Sequence, residues 1–119
     1  RIFRDIYKEI AESLFLYIYL SGDTSLLNKV DTFEESIIVD AFFEFLGEVR
    51  RIFIDDVIRG DIESSISHLN FMDKAFNILY SKYFPNYFIK DYKRHIDILR
   101  SQIERSKDDF IYLKFSRGV

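Results

Sequence analysis

Apolar side chains recur every three or four positions along nearly the whole chain, the spacing of helices that each bury one stripe. In the opening RIFRDIYKEIAESLFLYIYL, the stripe is Phe3, Ile6, Tyr7, Ile10, Leu14, Tyr17 and Ile18. Ser21-Gly22-Asp23 stops this first helix, and the residues to Val30 read as a loop with at most one short turn. Thr32 and Glu35 have capping-box spacing and predict a second helix to about Arg59, with Gly60 just past its end. Its apolar stripe is Ile38, Phe42, Phe45, Val49, Ile52 and Phe53, with Asp40, Glu44, Glu48, Arg51 and Asp55 on the opposite side. Asp61 is placed to cap a third helix, with Glu63 in its first turn. Ile66, Leu69, Met72 or Asp73, Phe76, Leu79 and Tyr83 carry that period until Pro85 ends it. A fourth helix runs from about Tyr87 to about Leu113 on Ile89, Tyr92, Ile96, Leu99, Ile103, Phe110 and Leu113, a near-heptad seam broken at Ser106. Lys93, Arg100 and Lys107 repeat along its outer strip, and the tail from Phe115 to Val119 is expected to fray. The fold class is all-α: an antiparallel bundle of four long helices, in one domain spanning 1–119.

Composition narrows this further. With 119 residues, 48% of them hydrophobic and 31% charged, the chain can build one core and has no room for a second. Four Gly and one Pro suit long helices better than a many-turned sheet. The absence of Cys excludes disulfides, thiolate metal sites and cysteine nucleophiles, and is compatible with a reducing, cytoplasmic location. No apolar run reaches membrane-spanning length, so no membrane partner is expected. The net charge of −3 does not mark a nucleic-acid binder, but its distribution is uneven. Residues 1–63 carry 14 acids and 7 bases, whereas residues 64–119 carry 6 acids and 10 bases. An acidic site beside a basic surface, or two solvated faces of opposite bias, would both give that asymmetry.

His68 and His95 fall on different helices outside any HExxH or ExxH frame, and are expected at the surface or its boundary. The glycines stand alone, so there is no phosphate-cradling loop. The 13 Phe and 8 Tyr fall at core spacing. Carboxylates remain. Asp5, Glu9 and Glu12 stack on one flank of the first helix, a like-charge conflict that a cation would relieve. Glu9 and Glu12 form an ExxE step, Glu44 and Glu48 an ExxxE step, and side-by-side helices would let all four converge on one hard cation. Oxygen-only ligands favour Mg²⁺, or Mn²⁺ in its place, over zinc. Arg51, three residues past Glu48, could take a phosphate bidentately. A solvated acidic face accounts for the same spacing.

Four segments carry a resemblance: EIAES at Glu9–Ser13, FLGEVRR at Phe45–Arg51, RGD at Arg59–Asp61 and DILRSQIERSKDD at Asp97–Asp109. In this order and spacing the chain resembles the translin and Trax (translin-associated factor X) family, on its Trax-like, archaeal side. The resemblance implies a translin-like all-α subunit of a hollow oligomeric shell, with an octamer favoured, made of this chain alone or together with a translin-like subunit. It implies an Mg²⁺-dependent endoribonuclease that cleaves single-stranded RNA inside the shell. Glu9, Glu12, Glu44 and Glu48 match the family's catalytic, metal-binding positions; Glu44 stands where Trax carries Asp. Arg51 matches an RNA-binding arginine, and Arg100 is a second RNA-binding candidate through the last segment. Family members have helical sequence ahead of the first motif, so the N-terminal part of the fold is expected to be absent. The alternative is a non-catalytic, translin-like oligomer that binds single-stranded RNA or DNA; a helical scaffold serving assembly alone is the third possibility.

Overall fold

The computed structural model describes residues 2–82 and 91–116. They form α1 (Ile2–Ser21), a 3-10 turn (Thr24–Leu26), α2 (Leu27–Val30), α3 (Glu35–Arg59), α4 (Ile62–Tyr80) and α5 (Tyr92–Ser116), and among the described residues there is no strand. The four long helices stand where the apolar periods put them. The end of the third helix at Tyr83–Pro85, the fourth helix's start at Tyr87 with Ile89, and the tail residues 117–119 lie outside the described residues.

Local chemistry explains most of the helix ends. Gly60, at φ +77°, adopts the left-handed conformation that glycine reaches without a Cβ penalty, and its N–H donates to the carbonyls of Asp56 and Val57. The Asp61 carboxylate accepts from the Ser64 N–H and so caps α4. The capping box at Thr32 does not form. The Thr32 hydroxyl instead donates to the Lys29 carbonyl, closing the turn after α2, and α3 begins at Glu35 without a side-chain cap.

α3 is the central helix. Phe45, Leu46, Val49 and Phe53 from it pack with Met72, Ala75 and Leu79 of α4 and Tyr92, Ile96, Leu99 and Ile103 of α5. In the α5 seam, Ser106 sits fully buried at the break in the apolar period, where its Oγ accepts from Arg50 Nε at 3.1 Å. Tyr92 Oη donates to the Leu79 carbonyl and Lys107 reaches Asp73, so α4 and α5 run antiparallel, as do α3 and α4 across the Gly60 turn.

Two expectations about α1 need correction. Tyr7 meets Phe33, Phe15 meets Phe42, and Tyr19 meets Phe45, so partners rise together in number and α1 runs parallel to α3. The segment holding the 3-10 turn and α2 carries the chain back, which allows two successive long helices to point the same way. Of the expected stripe, Phe3, Ile6, Tyr7, Ile10 and Tyr17 are exposed, and only Leu14 and Ile18 are half-buried. The face α1 presents to α3 centres on Ala11, at 0% exposure, with Phe15, Leu16 and Tyr19 packed on the core. A methyl-sized residue at the crossing lets the two backbones approach, so the small Ala11, not the large apolar neighbours, marks the contact.

Candidate functional site

Parallel α1 and α3 present matching four-residue steps to each other, so their polar side chains meet as rungs. Arg4 Nη2 donates to Asp40 Oδ2 at 2.8 Å. One turn on, Lys8 Nζ donates to Glu44 Oε1 at 3.0 Å. The next α1 residue in that series is Glu12, and the next on α3 is Glu48. Two rungs pair opposite charges; the third sets acid against acid. Burial raises the Glu12 carboxyl above the ordinary glutamate range, and the charges of Glu44 and Glu48, with a hydrogen bond shared with Glu44, raise it further against the pull of Lys8. Glu44 holds Lys8 by a hydrogen bond and by charge, which raises the ammonium's pKa in turn.

Glu12, Glu44 and Glu48 line one open cleft of about 420 Å³ together with Gly47, Arg50, Arg51, Ile54 and Gln102. Arg51 Nη1 lies 3.5 Å from Glu48 Oε1, with most of its side chain in solvent. Arg50, anchored by Ser106, adds a second guanidinium to this wall. Glu9 stands apart. One position past Lys8, it is turned about 100° around α1 and borders a separate shallow groove with Ile6, Ile10, Ser13 and Leu14. Arg100 also lies elsewhere, its guanidinium over the rings of Phe76 (5.4 Å) and Tyr80 (5.2 Å) on the α4 side.

The donor set of the cleft is oxygen only, which suits a hard cation such as Mg²⁺. As the side chains are placed, no three His, Asp or Glu residues among those described stand close enough together to hold an ion. The cleft gathers three carboxylates along its walls, with Lys8 on one of them.

A larger groove of about 580 Å³ adjoins it between α1, α3 and α5, lined by Arg4, Lys8, Asp40, Phe43, Asp91 and His95. Glu44, Gly47 and Gln102 border both cavities, and nothing stands within 4 Å of where a Gly47 Cβ would be. His95 lies over Phe43, ring centroids 5.2 Å apart. Sequence reasoning missed Lys8, Arg50 and Gln102. For Lys8 a signal existed, since Arg4, Lys8 and Glu12 repeat the four-residue step of Asp40, Glu44 and Glu48.

A second polar cluster is structural. His68 lies at the boundary of the core, as expected, where its ring contacts Tyr19 Oη through Nδ1 at 2.5 Å and Asp56 Oδ2 through Nε2 at 3.2 Å. Ser64 Oγ and Arg59 both donate to the buried Asp56 carboxylate. Burial alone would raise the Asp56 carboxyl, but these hydrogen bonds and the Arg59 charge outweigh it and hold it below the usual range. Tyr19, part-buried and near Asp56, is pushed up to about 12. The cluster ties α1, α3 and α4 together, and Ser64 Oγ also lies 3.3 Å from His68 Nε2.

No protein-family model matches the chain, and no curated protein matches it either. Solved structures do. The chain is similar to one in the crystal structure of AfC3PO, with a TM-score of 0.79 and 24% identity over 98% of this chain and 61% of that one. It is similar also to a chain of AfC3PO in complex with duplex RNA, with a TM-score of 0.77 and 25% identity over 96% of this chain and 60% of that one. The likeness is one of fold: over about three fifths of the length of the AfC3PO chains, this chain is built as they are.

Proposed function

We propose that the chain is a translin/Trax-type subunit that binds RNA and hydrolyses phosphodiester bonds of a single strand with Mg²⁺ held by Glu12, Glu44 and Glu48. The observation that carries the proposal is the acid–acid rung. Three carboxylates line one cleft where the two preceding rungs each have a cation, and two arginines border the same cleft. The AfC3PO likeness supports it, since one of those structures holds duplex RNA, and so do the family positions that the four glutamates match. A bound Mg²⁺ would supply an activated water and stabilise charge on the phosphodiester. Arg51 and Arg50 orient the phosphate, and Glu48 holds the water in line or serves as a further ligand. Glu9 is outside the cleft and Arg100 faces α4, so direct roles for both require a different placement from the one described. We further infer assembly into a shell, an octamer of this chain or a mixed one with a translin-like partner, covering the exposed apolar side of α1.

The decisive variant is Glu12→Gln with Glu48→Gln, assayed on labelled single-stranded RNA in Mg²⁺. Cleavage should vanish while binding persists; undiminished cutting rejects the site. Glu9→Gln alone should retain cleavage if the cleft holds the ligands, and loss of cleavage by that variant returns Glu9 to the ligand set. The competing function is RNA binding without cleavage, favoured by the hold of Lys8 on Glu44. Its mark is binding with steep inverse salt dependence and no product in either Mg²⁺ or Mn²⁺.

A further inference from the structure

The apolar residues that α1 leaves in solvent are not scattered. Phe3, Ile6, Ile10, Ser13, Tyr17 and Leu20 follow alternating three- and four-residue steps, a heptad seam carried along the whole helix. The row is centred about 130° around α1 from Ala11, which faces α3, so it looks away from the bundle. All six side chains are exposed, Phe3 at 72% and Leu20 at 61%. A groove of about 380 Å³ on this face is bounded by Ile6, Glu9, Ile10, Ser13 and Leu14. Its first four residues are an i, i+3, i+4, i+7 set, the diamond into which a facing helix of a coiled coil inserts one side chain. A hole of that shape fits a helix. The exposed large apolar side chains of α1 (Ile2, Phe3, Ile6, Tyr7, Ile10, Tyr17, Leu20) together offer on the order of 700 Å², taking about 180 Å² for each when bare. Patches of that size are rare on monomers, and this one approaches the roughly 800 Å² that each partner buries in a stable complex.

We propose that this seam pairs antiparallel with the same seam of a second copy of the chain, with the two-fold axis between Ile10 and Ser13. Reversal matches the six positions to themselves. Phe3 lies opposite the partner's Leu20, Ile6 opposite the partner's Tyr17, and Ile10 opposite the partner's Ser13. The smallest side chain of the row thus falls at the centre, against an isoleucine, where two crossing helices come closest. Charge selects the direction. Asp5 and Glu9 are exposed in the first half of α1, its bases Arg4 and Lys8 are held by Asp40 and Glu44 of α3, and no charged residue follows Glu12 in the helix. In an antiparallel pair each acid lies beside the uncharged half of the other helix, and the two macrodipoles oppose. A parallel pair would gather all the acids at one end and align the dipoles. The pairing rests on the self-assembly inferred above, sharpens it to one interface, and needs neither cation nor nucleic acid.

The chain has no cysteine, so introduced thiols report the pairing without background. Ile6→Cys combined with Tyr17→Cys, oxidised in dilute solution and run on a non-reducing gel, should trap a covalent dimer, whereas Ile6→Cys alone should not. Those two positions stand about 16 Å apart along one helix, too far for a bond within a chain. Ile10→Lys changes an exposed side chain, so helicity by circular dichroism should be unchanged while the dimer Kd in sedimentation equilibrium rises about a hundredfold. Ile10→Leu should leave that Kd near the wild-type value. A wild type that stays monomeric across the concentration series overturns the pairing, and self-assembly with it. A cross-link as strong from Ile6→Cys alone as from the double variant, or a dimer that Ile10→Lys leaves intact, overturns the pairing while assembly through another face stands. None of these readouts uses RNA or Mg²⁺, so the nuclease reading stands or falls separately.

Discussion

Glu12→Gln should make the protein more stable at neutral pH in the absence of divalent cations. The substitution keeps the shape and removes one charge from a cleft in which Glu44 and Glu48 remain. Two like charges about 4 Å apart repel by roughly 1 kcal/mol in water and about 4 kcal/mol at an effective dielectric near 20. Glu44 and Glu48 keep 51% and 32% of their side chains in solvent, which places the repulsion near the lower figure, and Lys8 offsets part of it. A gain of about 1 kcal/mol remains, or some 3–6 °C in Tm for a domain of this size. The pH sign follows from the raised carboxyl of Glu12: its protonated form is favoured by folding. Its contribution is thus fully favourable below the ordinary glutamate value of about 4.3 and is lost as pH rises through the higher folded value. The Tm difference between variant and wild type should open across that window and close below it. Differential scanning fluorimetry in EDTA from pH 4 to 8 reads this directly. A Glu12→Gln variant no more stable than the wild type at pH 7 would refute the charge conflict on which the cation site is argued. With Mg²⁺ added at about a hundred times its Kd, the wild type should gain about 2.7 kcal/mol and the variant much less.

Asp56→Ala should cost about 3 kcal/mol in urea unfolding, because Ser64 and His68 lose a buried acceptor. The depressed Asp56 carboxyl stabilises the fold above about pH 3.9 and ceases to as pH falls through its lower folded value, so the gap to the variant should narrow only in acid. At the alkaline end, Tyr19, raised to about 12, supports the fold below pH 10 and withdraws that support as pH climbs toward 12; Tyr19→Phe should flatten the alkaline limb of a stability profile. Gly47→Ala should raise Tm, by up to about 1 kcal/mol of helix propensity, since its Cβ meets open space. A large side chain such as Gly47→Phe should instead lower RNA affinity by filling the wall between the two cavities.

The fold was largely legible because its signals are local. The α5 seam, the left-handed Gly60 and the Asp61 cap each depend on a few neighbouring residues, and each stands where its chemistry places it. α1 was harder. Periodicity reveals that a helix has an apolar side, but α1 carries apolar residues on two sides, and only contact with α3 distinguishes them. The carboxylates show the same division. Glu12, Glu44 and Glu48 come together because 8-to-12 and 44-to-48 are four-residue steps along facing helices. Glu9 reaches Glu12 by a three-residue step, which rotates it off that seam by about 60° in the opposite sense. The His68 cluster had no signal in the sequence, since Tyr19 and His68 lie 49 positions apart and meet only through the packing of three helices.

One consequence follows from how unequally the walls of the acidic cleft are built. α3 keeps seven residues out of water, whereas α1 keeps only Ala11. The glutamate that α1 contributes is therefore carried by a helix with a single fully buried side chain, and its amides should exchange hydrogen before those of α3. Any ion gripped by both walls has to share its binding free energy with the seating of α1. Neighbouring subunits that clamp that helix would then tighten the grip on the ion without touching it.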